Sequence, residues 1–448
     1  MKKLWILVLA AVMLAGAFAG CARQTAEPDN PFFSGDARHL VEEMSARDFE
    51  AALSNHKYSV IMGLTMNKTT YGVIWNSLTS SYGQYLSIYD VVLNDVSGHK
   101  IASVKTAFKN TCIDIRISYK PNGTIAGIHY NTNSDRPAEF LAAQPVPPEG
   151  VAEYSFTFGD PEYRLPAVLT HPEGAESFPV VILVHGSGPS NMNESVGAQA
   201  PFRDIAWGLA QQGIGTIRYD KRTYVYPEKF TQDMTVYEET VYDAQLAALT
   251  ATTLAGVDAE SIYIAGHSLG GMLIPQIAAD CPEADGYIML AAPTTPIHEL
   301  YVIQSQYIAN LDGSISAAEQ VSINAIKKAA ERIAKLEEGS KVKASKLLNI
   351  SAPYWLYLKN YRTAEAAKAI SLPLLVLQGE SDYQVSMNDF STLNTALSGM
   401  QNVQFISYPG LTHLFAQAGD PPSPADYNQP LHVDQKVIDD IAAFVKGN

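Results

Sequence analysis

The chain is short of positive charge and of cysteine. Its 31 Lys and Arg face 46 Asp and Glu, giving a formal net charge of −15 in 448 residues, and no basic cluster lies beyond the first residues. Nucleic acid and anionic membrane surfaces, which are gripped by basic patches, are therefore poor partners. Of three cysteines, only Cys112 and Cys281 lie beyond position 21. They form no disulfide framework and stand in no metal-ligand spacing, so they read as two buried free thiols. Charged residues make up only 17% of the chain and hydrophobic ones 47%. That is the balance of an ordinary globular protein, at a length that allows more than one domain.

What is present begins at the N-terminus. Met1-Lys2-Lys3 precedes an apolar run over residues 4–18, the n-region and h-region of an export signal, too short to span a bilayer comfortably. The run ends in Phe18-Ala19-Gly20-Cys21, which resembles a bacterial lipoprotein signal occupying residues 1–20. Cys21 is then the lipidation site, residues 22–30 are a polar tether, and the protein is exported and held at the outer face of the cell membrane by the lipid anchor alone. The plainer alternative is an ordinary cleaved signal followed by chance by a cysteine, with a secreted product.

Two composition regimes follow. Residues 31–143 read as a small α+β domain. A helical pattern over 36–53 precedes β-rich segments at 85–89, 104–108 and 112–119, and Pro121-Asn122-Gly123 marks a hairpin turn into 124–130. No nucleophile, metal cluster or phosphate loop stands out there, and its role is open. Residues 144–150, QPVPPEG, are a linker. Beyond it, candidate strands at 154–158, 165–169, 180–184, 215–218, 262–265, 286–290, 374–377 and 403–408, the later ones short continuous apolar runs, alternate with helical segments such as 201–211 and 238–250. That alternation predicts a mostly parallel, doubly wound α/β sheet over 151–448. The interval 295–372 is too long for a simple crossover, and it reads as a helical cap over the strand ends rather than a helical pair on the outside of the sheet.

The densest chemical signal is residues 262–271, IYIAGHSLGG. An apolar run enters Gly266-His267-Ser268-Leu269-Gly270 and helix formers follow, the strand–turn–helix setting of a nucleophile elbow. Glycines on either side relieve the crowding of so tight a turn. A nucleophilic serine needs a base, an orienter for that base, and donors for an oxyanion. Asp382, in LLVLQGESD, and His413, in GLTH, each lie just past an apolar run. The chain order serine, acid, histidine is the α/β-hydrolase order. Glu380 and His432 are weaker alternatives by position, and His267 reads as structural. The expected oxyanion donors are backbone N–H groups, that of Leu269 and one from the 185–189 loop HGSGP, with Ser187 ahead of Gly188. The cluster at 218–222, RYDKR, fits an anion site less well than charges that pair to hold a strand exit beside that loop.

The runs VVILVHGSGP, PFRDIAWGLAQQGIGTIRYDKRTY, IAGHSLGG, LQGESD and GLTH together resemble the α/β-hydrolase superfamily. More narrowly, the chain resembles secreted bacterial esterases carrying an N-terminal domain of the DUF3887 type. The likeness spans 151–448 well and 31–143 loosely. It implies a serine carboxylesterase acting on small-molecule esters, with Ser268, Asp382 and His413 as catalytic triad and no cofactor or metal. Residues 190–194, SNMNE, depart from the acidic pattern that family members often carry there. Acyltransferase, thioesterase and prolyl-oligopeptidase-like chemistries share the elbow, and a non-catalytic surface binding protein is the reading from another class.

Overall fold

A computed structural model describes residues 31–447, apart from 60–61, 64–65, 97–98, 110, 134–144 and 230–233. The signal, Cys21, the tether and the start of the linker lie outside the described residues. The chain divides into two compact units, Met1–Val146 and Pro147–Asn448.

In the first unit, helices Pro31–Ser45, Phe49–Ser54 and Lys68–Tyr82 precede an antiparallel sheet of β1 (Tyr85–Val96), β2 (His99–Phe108), β3 (Cys112–Tyr119) and β4 (Ile125–Asn133), paired in chain order. Alternation sets the face of β3: Ile113, Ile115 and Ile117 are fully buried. The single helix expected over 36–53 is two, because Arg47 turns to a positive φ of 61° and Asp48 caps the next helix by accepting from Ala51 N at 3.0 Å. The helix Lys68–Tyr82 was not anticipated. Its Thr, Ser and Gly content gives weak propensity, and burial of Tyr71, Trp75 and Leu78 on one face supplies what propensity does not.

The second unit is built on eight strands: β5 (Val151–Phe158), β6 (Leu165–Pro172), β7 (Phe178–Val184), β8 (Gly215–Tyr219), β9 (Val257–His267), β10 (Gly286–Leu290), β11 (Leu374–Gly379) and β12 (Val403–Tyr408). They lie in the order β12-β11-β10-β9-β7-β8-β6-β5. From β12 to β8 every pairing is parallel, and β6 runs antiparallel to both its neighbours. β8, β10 and β11 are buried along their whole length, as strands between two helical layers are; β10 is apolar throughout, whereas β8 also buries Thr216 and Arg218. On β7, Val180, Ile182 and Val184 join the core on one face and Val181 and Leu183 the core on the other. Cys112 and Cys281 are free, buried, and in different units.

The interval 295–372 holds helices Ile297–Ala309, Ala317–Ala334, Ala352–Lys359 and Thr363–Ala367. A capping box of Ser316 and Glu319 starts the second. The insertion reaches the loop after β11: Gln304 Nε2 donates to Gln384 O at 3.0 Å, and the Tyr307 ring stacks on Tyr383 at 5.3 Å.

Candidate active site

β9 ends at His267 and the helix Leu269–Asp280 starts one residue later, so Ser268 makes the whole turn. It does so at φ 52° and ψ −115°, a conformation that costs a serine about 1–3 kcal/mol and persists only where the surroundings enforce it. One hydrogen bond holds it here and one missing side chain makes room for it. Ser268 N donates to Leu290 O at 2.8 Å, and a Cβ at position 266 would sit 2.3 Å from Gly270 O, so only glycine fits. The Leu269 N–H opens the helix, where no intrahelical acceptor exists for it.

The exits of β11 and β12 cross closely. A Cβ at Gly379 would lie 2.4 Å from Thr412 O and 2.5 Å from Leu411 O, so the missing side chain lets the loop bearing Asp382 meet the loop bearing His413. Asp382 is buried and held by four donors. Its Oδ1 accepts from Gln384 N at 2.7 Å and Val385 N at 3.0 Å, and its Oδ2 accepts from Gln378 Nε2 at 3.0 Å and faces His413 Nδ1 at 2.6 Å. A carboxylate at Nδ1 keeps the proton there and leaves the Nε2 lone pair available. Neither His413 Nε2 nor Ser268 Oγ has a hydrogen-bond partner among the described residues. Asp382 and His413 are thus joined, and the bond from serine to histidine is not made in this structure.

The other candidates fall elsewhere. Glu380 accepts from Ser407 Oγ at 2.7 Å. His432 is largely exposed and pairs with Asp204 at 3.1 Å. His267 is buried, with Nε2 2.9 Å from His413 O and Nδ1 2.9 Å from Glu194 Oε2. Burial opposes charge on both members of that pair, yet their mutual attraction prevails: His267 is shifted up and Glu194 down. His185, by contrast, is pushed down to about 4 by burial.

The 185–189 loop lies against the serine, since a Cβ at Gly186 would be 3.1 Å from Ser268 Cβ. Gly186 N is already taken, donating to Glu194 Oε1 at 2.6 Å. Ser187 is exposed and Gly188 turns at φ 82°. Sequence reasoning missed Glu194 as a partner of this loop, although it lies in the segment noted as unusual. It also missed the specific contacts of the 218–222 cluster. These charges pair with other elements: Arg218 with Glu153, Lys221 with Glu239, and Arg222 with Asp243. Lys221 Nζ also donates to Gly186 O at 2.7 Å.

The chain is similar to known proteins. Residues 175–417 match the family described as serine aminopeptidase, S33 (Hydrolase_4). The chain is 31% identical over 415 residues to Esterase EstD of Thermotoga maritima, covering 92% of this chain and 95% of the relative. Among solved structures, Est1E from Butyrivibrio proteoclasticus aligns at 17% identity and a TM-score of 0.42, over 66% of this chain and 99% of that one. The Pyrococcus furiosus esterase PF2001 aligns at 12% identity and a TM-score of 0.43, over 66% and 91%.

Proposed function

The chain belongs to the serine aminopeptidase S33 family, an α/β-hydrolase enzyme, and on that premise we propose that it is a serine carboxylesterase acting on small-molecule acyl esters. Ser268 is its nucleophile, His413 its base and Asp382 the orienter of that base. The observation that carries this reading is the buried Asp382–His413 pair at 2.6 Å, whose histidine backs onto His267, the residue before the strained serine, with His413 O 2.9 Å from His267 Nε2. Ser268 Oγ attacks the acyl carbon while His413 Nε2 takes its proton. The tetrahedral oxyanion accepts from the N–H groups of Leu269 and Ser187, with Gly188 the second choice in the loop. Collapse breaks the bond to the alcohol, which leaves with the proton from His413. A water then gives its proton to His413 and attacks the acyl-serine, and the acid departs as the proton returns to Ser268.

The curated relative named an esterase supports an ester over an amide as the substrate. The contacts of the 295–372 insertion with Gln384 and Tyr383, two residues and one residue from Asp382, support its role as a cap bounding the acyl site. The DUF3887-type domain, export and lipidation at Cys21 are carried by the sequence alone. The test is a panel of p-nitrophenyl esters of increasing acyl length, aryl esters and amino-acid p-nitroanilides, run on wild type and Ser268→Ala. Ester turnover lost in Ser268→Ala is the expected result. Anilide turnover without ester turnover would move the protein to peptidase chemistry.

A further inference from the structure

Gly186 O and Ser187 N belong to one peptide unit. In a planar trans peptide the C=O and N–H point to opposite sides, so whatever fixes the carbonyl also fixes the amide. The group that fixes this carbonyl is unusual. Lys221 is 1% exposed, among the largest fully buried side chains of the protein, and its Nζ donates to Gly186 O at 2.7 Å. A lysine is rarely taken out of water without a reason. Its counter-charge is Glu239, 3% exposed, 3.4 Å away on a widened π-type helical turn over Tyr237–Tyr242. Glu239 in turn accepts from Thr223 Oγ1 and from Tyr354 Oη of the 295–372 insertion, each at 2.7 Å.

The same segment also grips the residues that continue the loop. Lys221 N donates to Ser190 O at 3.0 Å, and Asp220 Oδ1 accepts from Met192 N at 2.7 Å. On its other side, the 185–186 peptide is held by Glu194 through Gly186 N. Both peptides flanking the Gly186 Cα are therefore clamped by buried charged side chains, in a loop that touches the nucleophile.

The geometry points to Lys221 as a positioning residue for the oxyanion site: by holding Gly186 O, it aims the Ser187 N–H at the oxyanion that forms on Ser268. The inference rests on the esterase reading above. A charged donor on the carbonyl also polarises the peptide and strengthens its N–H as a donor. The alternative, a buried ion pair that only fastens β8 to the following helical turn, leaves the bond to Gly186 O without a purpose.

The test removes both charges together, as Lys221→Met/Glu239→Gln and as Lys221→Gln/Glu239→Gln, so that no lone charge stays buried. Two constants are read: kcat/KM for p-nitrophenyl acetate, and Ki for a phenylalkyl trifluoromethyl ketone. Ser268 adds to the ketone and its oxygen then fills the oxyanion site. The matching methyl ketone, which does not add, is the control. Loss of one oxyanion donor costs about 100- to 1,000-fold. Misdirecting one is expected to lower kcat/KM by at least about tenfold and to raise the trifluoromethyl ketone Ki by the same factor, with the methyl ketone unchanged. A folded variant with both constants within about twofold of wild type overturns the assignment. So does failure of both variants to fold, which would make Lys221 a stability element. If wild type itself shows no Ser268-dependent ester turnover, the esterase reading has failed instead, and the two failures are distinguishable.

Discussion

Each unit of the protein buries a histidine against a carboxylate, and the two differ at one nitrogen. His56, in the N-terminal unit, has Nδ1 2.9 Å from Asp36 and Nε2 2.8 Å from Glu43. His413, in the C-terminal unit, has Nδ1 2.6 Å from Asp382, and its Nε2 is unengaged among the described residues. With acceptors at both nitrogens, an imidazole is stabilised as the doubly protonated cation and has no lone pair left to take a proton. Burial opposes the charge on His56, but the bonds to Asp36 and Glu43 win and the net shift is upward. His56 is thus a strut. In the mechanism proposed here the same residue type, with one nitrogen free, serves as the base, so one missing partner would separate structure from chemistry.

The largest expected effect breaks that contrast directly. His413→Ala should lower kcat for p-nitrophenyl acetate by about 10⁴-fold, whereas His56→Gln in the full chain should leave kcat within about twofold. Asp382→Asn should cost about 10³–10⁴-fold, because the amide presents the wrong hydrogen-bonding group to Nδ1 and turns the imidazole to the unproductive tautomer. Steady-state kinetics of the three purified variants checks both statements. A smaller effect is expected on stability. His56→Gln leaves Asp36 and Glu43 facing each other and should destabilise the N-terminal unit by about 2–4 kcal/mol, read as faster hydrogen exchange in the helix Pro31–Ser45.

The smallest effect is a pH dependence of that unit. Because His56 is raised above 6.5, its contribution is complete below 6.5 and is lost as pH rises through the higher folded value. Asp36 is lowered from 3.8: burial opposes this, and the bonds from His56 and Tyr119 overcome it. Its contribution is present above 3.8 and lost as pH falls through the lower folded value. Hydrogen-exchange protection of residues 31–59 should therefore be greatest between about pH 4 and 6.5 in wild type. His56→Gln should lose the decline on the alkaline side.

These two regions were also unequally legible in the sequence. Most strands of the C-terminal unit announce themselves because parallel strands buried on both faces favour apolar runs, β8 with its buried Arg218 being the exception. Ser268, Asp382 and His413 were picked out as candidates by the elbow motif, by their place at the strand exits and by their order along the chain. The closeness of Asp382 and His413 was readable only as an order along the chain. Its physical cause, the absent side chain of Gly379 where two loops cross, needs the fold. Glu194, Lys221 and Glu239 were harder still. Glu194 lies eight residues from the Gly186 N–H it accepts, whereas Lys221 lies 35 residues from the Gly186 carbonyl. A buried charge looks like a surface charge until its partner is placed. In the N-terminal unit, the Asp36–His56–Glu43 knot has the same difficulty, and the helix Lys68–Tyr82 was hidden by its Thr, Ser and Gly content, which gives weak helix propensity.

The central claim is that Ser268 is the nucleophile served by His413, and a covalent label reads it most directly. The protein would be treated with a fluorophosphonate ester, digested, and mapped by mass spectrometry in wild type, His413→Ala and Ser268→Ala. The expected result is a single phosphonyl adduct on Ser268 in wild type, formed far more slowly in His413→Ala and absent from Ser268→Ala. An adduct on another residue, or labelling that persists in Ser268→Ala at the wild-type rate, would contradict it.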